Sequence, residues 1–295
     1  ETIKEPQAVL SEVWLKGGKN MKILYAASEA QPVAASGGLA DVAGSLPKAL
    51  VEEGHEACVV VPLYVNTIKQ QWRDQMTYIT NFSVPVGWRN QYCGLFTAKI
   101  NNVTYYFLDN EYYFKRDFGL YGYYDDAERY AFFSRAVLEM LKVIDFKPQI
   151  INSNDWQCAL IPVYYSIFYR NDEKLWGIKN VFTIHNIQYQ GRYGMEILED
   201  VLGIPKHFAS LMEYDRDINL MKAAIEVSDK VTTVSPTYAR EILDPWFSHG
   251  LDRALADKQY KTCGFLNGID TDMYNPATDP AIPANFTVSK KAGKK

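Results

Sequence analysis

Short apolar runs rich in β-branched residues alternate with longer stretches of helical spacing along this chain, and that alternation limits its fold more than any other feature. The runs are Lys22–Ala27, Ala57–Val61, Val103–Leu108, Gln149–Asn152, Asn180–Ile184, Lys230–Val234 and Thr262–Leu266. Between them the spacing predicts helices over Leu39–Glu53, Asp126–Val143, Ala159–Tyr169, Arg216–Val227 and Pro236–Leu243. Strand and helix in turn are the pattern of βαβ units around a parallel sheet, so the expected class is α/β, a Rossmann-like parallel sheet with flanking helices. One stretch differs. Tyr78, Phe82, Val84 and Val86, then Phe96, Ala98 and Ile100, alternate with polar neighbours, which predicts a β-hairpin or antiparallel edge within Tyr78–Leu108.

The first strand begins only after Met21, so residues 1–20 are expected to be a short helix or linker, with Val9, Leu10, Val13 and Trp14 as a weak apolar stripe. From Pro276 to the lysines at the end, the composition is that of a linker, so 276–295 is expected to be a tail and 21–275 the folded domain. With 47% of 295 residues in the hydrophobic set, the chain can bury a full core.

A net charge of -4 offers no broad positive field, which argues against nucleic acid or anionic lipid and for a neutral or small anionic ligand in a local pocket. Cys58, Cys93, Cys158 and Cys263 form no CxxC pair, which argues against a structural zinc site or a disulfide framework and fits a reducing compartment. No run approaches the roughly 18 apolar residues of a membrane span, and the expected location is cytoplasmic. The 21 tyrosines supply flat apolar faces with polar edges on which sugars can stack, although most such rings belong to cores.

In an open parallel sheet, ligands sit beyond the carboxyl ends of the strands. After the first strand come Ser28-Glu29 and then Ser36-Gly37-Gly38-Leu39-Ala40-Asp41, where two glycines and a helix start suit a phosphate or a sugar oxygen, or simply a tight packing turn. There is no G-x-G-x-x-G after that strand and no Walker A lysine. The fourth strand is followed by Ser153-Asn154-Asp155-Trp156, a carboxylate and an indole that could line a sugar site, and the fifth by His185-Asn186, which is either structural or a pair of orienting groups. His55, His207 and His249 show no metal-ligand spacing, and no metal is expected. Ser235-Pro236 reads as a helix cap followed by proline at the first helical position, and Asn267-Gly268-Ile269-Asp270 as a turn after a strand.

In this order the segments resemble the glycogen/starch synthase family of retaining glucosyltransferases. The resemblance rests on Met21-Lys22-Ile23-Leu24-Tyr25-Ala26-Ala27-Ser28-Glu29, on Gly37-Gly38-Leu39-Ala40-Asp41-Val42, on Tyr124-Asp125-Asp126-Ala127-Glu128-Arg129, on Asp155-Trp156-Gln157, on Thr183-Ile184-His185-Asn186-Ile187, on Val234-Ser235-Pro236-Thr237-Tyr238 and on Leu266-Asn267-Gly268-Ile269-Asp270. It implies the amino-terminal half of a two-domain GT-B glycosyltransferase, the second Rossmann-like domain being absent. The implied activity is transfer of glucose from ADP-glucose or UDP-glucose to the nonreducing end of an α-1,4-glucan, with retention and with no cofactor. The resemblance casts His185 and Asp41 as catalytic, and Ser36, Gly37, Gly38, Asn186 and Asn267 as donor-binding. Tyr121, Asp155 and Trp156 fall on the acceptor side. The basic groups that neutralise the leaving diphosphate belong to the second domain in the family, so this chain alone is expected not to turn over.

Four positions depart from the family pattern. Ala35-Ser36 replaces Lys-Thr before the glycines, Asn154 takes the histidine place of His-Asp-Trp, Lys222-Ala223-Ala224 replaces Lys-Gly-Gly or Lys-Ala-Gly, and Arg253 stands where glycine is usual. Two other readings therefore stay open: a degenerate relative that binds glucan or regulates a partner, and a glucosyltransferase with another donor or acceptor.

Overall fold

The computed structural model describes residues 20–294; the expected helix or linker at the amino end, Asn20 apart, lies outside them. In chain order the strands are β1 (Lys22–Ala26), β2 (Glu56–Pro62), β3 (Thr77–Val86), β4 (Arg89–Ile100), β5 (Val103–Asp109), β6 (Ile150–Asn154), β7 (Lys179–Ile184), β8 (Arg192–Tyr193), β9 (Glu213–Tyr214), β10 (Asp217–Asn219), β11 (Lys230–Thr233) and β12 (Thr262–Gly264). Nine of them form one sheet in the order β12-β11-β7-β6-β1-β2-β5-β4-β3. From β12 to β5 every pairing is parallel, and β4 and β3 add an antiparallel edge, as the alternating stretch predicts.

The central strands are apolar at successive positions because both faces of a parallel sheet are covered. Leu24, Tyr25 and Ala26 in β1 and Val59, Val60 and Val61 in β2 are all at most 1% exposed. The leucine and valine side chains among them contribute about 2 kcal/mol each by leaving water.

From β1 the chain steps one way to β2 through α1 (Gly38–Glu52). From β5 it steps back across β1, through α2 (Asp126–Met140), to β6 and then to β7, β11 and β12 on the far side. Right-handed crossovers then place α1 on one face and the later helices on the other. The reversal of direction lies between β1 and β6, so the crevice beyond these two strand ends is where a ligand is expected.

Several expected boundaries differ. The helix expected over Arg216–Val227 begins only at Leu220: Asp217–Asn219 pairs as β10, and Asn219 caps α5 (Leu220–Val227) by accepting from the Lys222 amide at 3.0 Å. Helix Ala159–Tyr169 is instead a chain of short pieces, α3 (Asp155–Cys158), α4 (Leu160–Tyr164) and a π turn over Tyr165–Tyr169. Strand β12 ends at Gly264, short of the expected Leu266, and there it lies against Ser235-Pro236 at the start of α6 (Pro236–Glu241): a Cβ at Gly264 would sit 2.0 Å from the Ser235 carbonyl oxygen.

Candidate functional site

Parallel register brings the strand ends to one level: Ala26 pairs with Ser153, and Asn154 with Thr183. Ser28, Asn154 and His185 therefore emerge side by side at the crevice. The Asn154 amide nitrogen donates to the Ala26 carbonyl at 2.9 Å and to the Asn152 side-chain oxygen at 2.8 Å, which leaves its own oxygen facing His185 Nε2 at 2.9 Å. A carbonyl oxygen can only accept, so Nε2 carries the proton and Nδ1 the lone pair. Burial holds the ring neutral, lowering its pKa to about 4.

Asp155 has left-handed backbone, φ 55°, at the junction of β6 and α3. That bend turns its carboxylate toward the next strand end, where it accepts from the His185 amide at 2.8 Å and the Asn186 amide at 3.3 Å. Burial pushes the Asp155 carboxyl up to about 7, against the pull of those two amides. One loop thus carries His185 and Asn186, and one side chain fixes its path.

The glycine loop is held from below by Glu29, a 3% exposed carboxylate that accepts from the Ser36 amide. Burial raises its pKa, and the amides of Ser36 and Gly37 oppose the rise. Gly37 is the N-cap of α1 and has no side chain to bond the free amides of the first turn. Ser36, Gly37 and Gly38 are exposed, and the space where Gly38 would carry a Cβ is open. A fifteen-residue helix therefore presents unsatisfied N–H groups and its positive end to the crevice.

Tyr121 joins the same group, since its hydroxyl lies 2.7 Å from the Ser28 hydroxyl, one residue before Glu29. Trp156 is 9% exposed, edge-on to Tyr130 at 5.3 Å and against Gly191, where a Cβ would meet its ring at 2.8 Å. Its indole backs the crevice wall and does not stand free as a platform.

Asp41 and Asn267 lie on the other side of α1's first turns. Asp41, in the first turn, accepts from the Tyr274 hydroxyl at 3.2 Å. Lys48, two turns on, bonds Asp270 at 3.2 Å and Asp272 at 2.7 Å, tying the segment after β12 to the helix. Asn267 borders two cavities. One, of about 1450 Å³, is shared with Gly38 and Asp41; the other, of about 430 Å³, is shared with Thr183 and His185. Ser36, Gly37, Tyr121, Asp155, His185 and Asn186 thus form one linked group, and Asn267 connects it to Asp41.

Sequence reasoning passed over Glu29, Asn154 and Tyr274 as working parts. The signal for the first two was their place directly after β1 and at the end of β6, on either side of the reversal. Nothing in the spacing relates Tyr274 to Asp41, 233 residues earlier.

Residues 22–257 match the family model described as the starch synthase catalytic domain. The glycogen synthase of Lactobacillus acidophilus is 47% identical over 270 residues, covering 91% of this chain and 56% of that protein. That of Desulforamulus reducens is 48% identical over 276 residues, covering 92% and 57%. Among solved structures, the catalytic domain of starch synthase IV from Arabidopsis thaliana, bound to ADP and acarbose, superposes with a TM-score of 0.83 at 31% identity, over 93% of this chain and 57% of that one. The chain spans about half the length of the curated relatives it matches.

Proposed function

The chain belongs to the glycogen/starch synthase family, with the fold of the amino-terminal Rossmann-like half of a GT-B glycosyltransferase, and on that premise we propose that it forms the acceptor-side half of an ADP-glucose-dependent glycogen synthase. The observation that carries the reading is the convergence at the sheet reversal of an uncapped helix N-terminus with a neutral, fixed histidine. The first suits the donor's diphosphate; the second suits the sugar.

As the bond from glucose to diphosphate breaks, the ring gains positive charge and the leaving group gains negative charge. The positive end of α1 and the exposed Gly38 backbone stabilise the anion, with Ser36 beside them. An imidazolium next to the ring would oppose the developing cation; the neutral His185 does not. Asp155 keeps His185 and Asn186 at one fixed depth, so their contacts to the sugar need no rearrangement. Tyr121 and Asp155, backed by Trp156, face the α-1,4-glucan acceptor, and Asp41 and Asn267 complete the donor side. The ADP and acarbose held by the Arabidopsis relative support a nucleotide and an oligosaccharide in one crevice. No helix among the described residues is long and apolar enough to cross a membrane, which fits a cytoplasmic enzyme.

The test is kinetic. In the complete protein, His185→Ala and Asp41→Asn each lower kcat for glucose transfer to glycogen by about 100-fold, with glycogen still bound. Unchanged kcat in both variants contradicts these roles. One observation favours a second reading, a glucan-binding relative without turnover: the exposed Ala35 stands where the family carries lysine before the glycines.

A further inference from the structure

The loop that carries His185 and Asn186 is suspended between two neighbouring strand ends. On the β6 side, Asp155 accepts from the His185 and Asn186 amides. On the β11 side, Thr233 Oγ1 donates to the Ile184 carbonyl at 2.9 Å, and the Tyr238 hydroxyl accepts from the Ile187 amide at 3.1 Å. Strand β7 ends at Ile184, so the three amides that follow lie past the ladder, and side chains of the flanking elements take them up instead.

The Asp155 bonds leave one freedom. Both amides converge on a single oxygen, Oδ1, and the second bond is long at 3.3 Å. Two bonds that meet at one atom let the loop pivot about that atom. The bond from Ile187 to Tyr238 is anchored on the opposite flank, so it removes the pivot.

Ile187 is a fixed point for a further reason. Its side chain is 2% exposed, and its carbonyl accepts from Gln190 Nε2 at 3.1 Å. Asn186, exposed, is strung between this point and His185. The Asn186 side-chain oxygen accepts from the Gln188 amide at 3.0 Å, which leaves Nδ2 as the group free for the crevice. Where Asn186 points therefore depends on where Ile187 and Gln188 are held.

Tyr238 is itself held firmly enough to serve as an anchor. Its amide is bonded at 2.8 Å by Ser235 Oγ, the cap of α6, and Pro236 takes the first helical position. Gly264 of β12 lies against the Ser235 carbonyl, so the first turn of α6 is wedged between β11 and β12. Thr233 pairs with Ile184, so α6 and the histidine loop leave the sheet at one level. The half-buried tyrosine ring spans the gap between them, reaching a residue 51 positions earlier in the chain. The Ser235-Pro236-Thr237-Tyr238 stretch, which as a sequence reads as no more than a helix cap, thus reaches the crevice at second hand.

We propose that Tyr238 is a positioning residue for glucose transfer: its hydroxyl, through the Ile187 amide, fixes the depth at which His185 and Asn186 meet the donor's sugar. The inference rests on the synthase reading above. Tyr238 touches neither sugar nor diphosphate in this role, and what it supplies is placement, to which transfer rates are sensitive on a scale below 1 Å, as a rough figure.

Tyr238→Phe removes the hydroxyl and keeps the ring. Tyr165→Phe is the control, because its hydroxyl also bonds a loop backbone group, the Leu175 carbonyl at 3.0 Å, but before β7 begins, at the far end from the crevice. In the 295-residue chain, amide hydrogen exchange followed by NMR is expected to quicken about tenfold at Asn186 and Ile187 in Tyr238→Phe and to stay unchanged there in Tyr165→Phe. In the complete protein, Tyr238→Phe is expected to lower kcat for transfer from ADP-glucose to glycogen about tenfold, with KM for glycogen unchanged. Tyr165→Phe should keep the full kcat at a similar thermal midpoint, which separates placement from a general loss of stability. Unchanged exchange at Asn186, or a kcat for Tyr238→Phe equal to that of the control, overturns the inference and leaves the synthase reading standing. No transfer by the unaltered complete protein contradicts the synthase reading instead, and the exchange rates then decide by themselves whether Tyr238 fixes the pair.

Discussion

His185 takes its protonation state from its neighbours. Asn154 spends its amide hydrogens on the Ala26 and Asn152 oxygens, so only its carbonyl is left for the imidazole, and burial excludes the charged ring. Nitrogen-15 spectra should show a neutral ring protonated at Nε2 at pH 7, with protonation only near pH 4. An imidazole titrating near its ordinary value would contradict the arrangement. The two perturbed groups also bear on stability in opposite senses. His185 has its folded pKa depressed, so between about 4 and 6.5 the unfolded chain binds more protons at this position and stability rises with pH. Asp155 has its folded pKa raised, so between about 3.8 and 7 the folded chain binds more protons and stability falls as pH rises. Removing the second contribution by Asp155→Asn should therefore expose a clear gain in stability from about pH 4 to 6.5, measured by denaturant unfolding at several pH values. A flat profile in that variant would mean that His185 is not held neutral. Position 35 carries the other prediction at this scale. Restoring the family's cation by Ala35→Lys in the complete protein should lower KM for ADP-glucose roughly fivefold through a charge-assisted contact with diphosphate, seen in initial rates. Gly37, Asp155 and His185 could be singled out in the sequence because each follows an apolar run. Glu29 and Asn154 also stand at the ends of such runs, but their contacts depend on which strands become neighbours.

At the scale of elements, boundaries were lost where the turn chemistry is unusual. β9 and β10 are joined by Asp215 and Arg216, both with positive φ and neither a glycine, so no turn signal separates them from the apolar spacing of the following helix. Asn219 marks the true helix start, and it works twice. Its oxygen caps α5, and its amide nitrogen donates to the Gln190 side chain at 2.7 Å, fully buried. Asn219→Ala should cost about 2 kcal/mol, a lost cap plus an unpaired buried partner, and lower the thermal midpoint by several degrees. Gly264→Ala should cost more than about 2 kcal/mol although φ there suits any residue, because the new Cβ has only backbone to press against: the Ser235 carbonyl at 2.0 Å and the Pro236 nitrogen at 2.7 Å. An unfolding midpoint within a degree of the unaltered chain in either variant would contradict the packing described.

For the whole molecule, the parallel sheet was legible because apolar runs and helical spacing repeat, and the antiparallel edge because β3 and β4 alternate. The small sheet of β8, β9 and β10 was not, its strands being two or three residues long and without pattern. On the proposed function, this sheet reversal, with its uncapped helix and neutral histidine, serves as the acceptor side of a glucan synthase. Glucose transfer from ADP-glucose to glycogen, measured for the complete protein beside the 295-residue chain, tests it most directly. Transfer by the complete protein and none by the 295-residue chain is the expected result. Silence from both, with glycogen still retained by the short chain, would contradict the synthase and leave a glucan-binding relative.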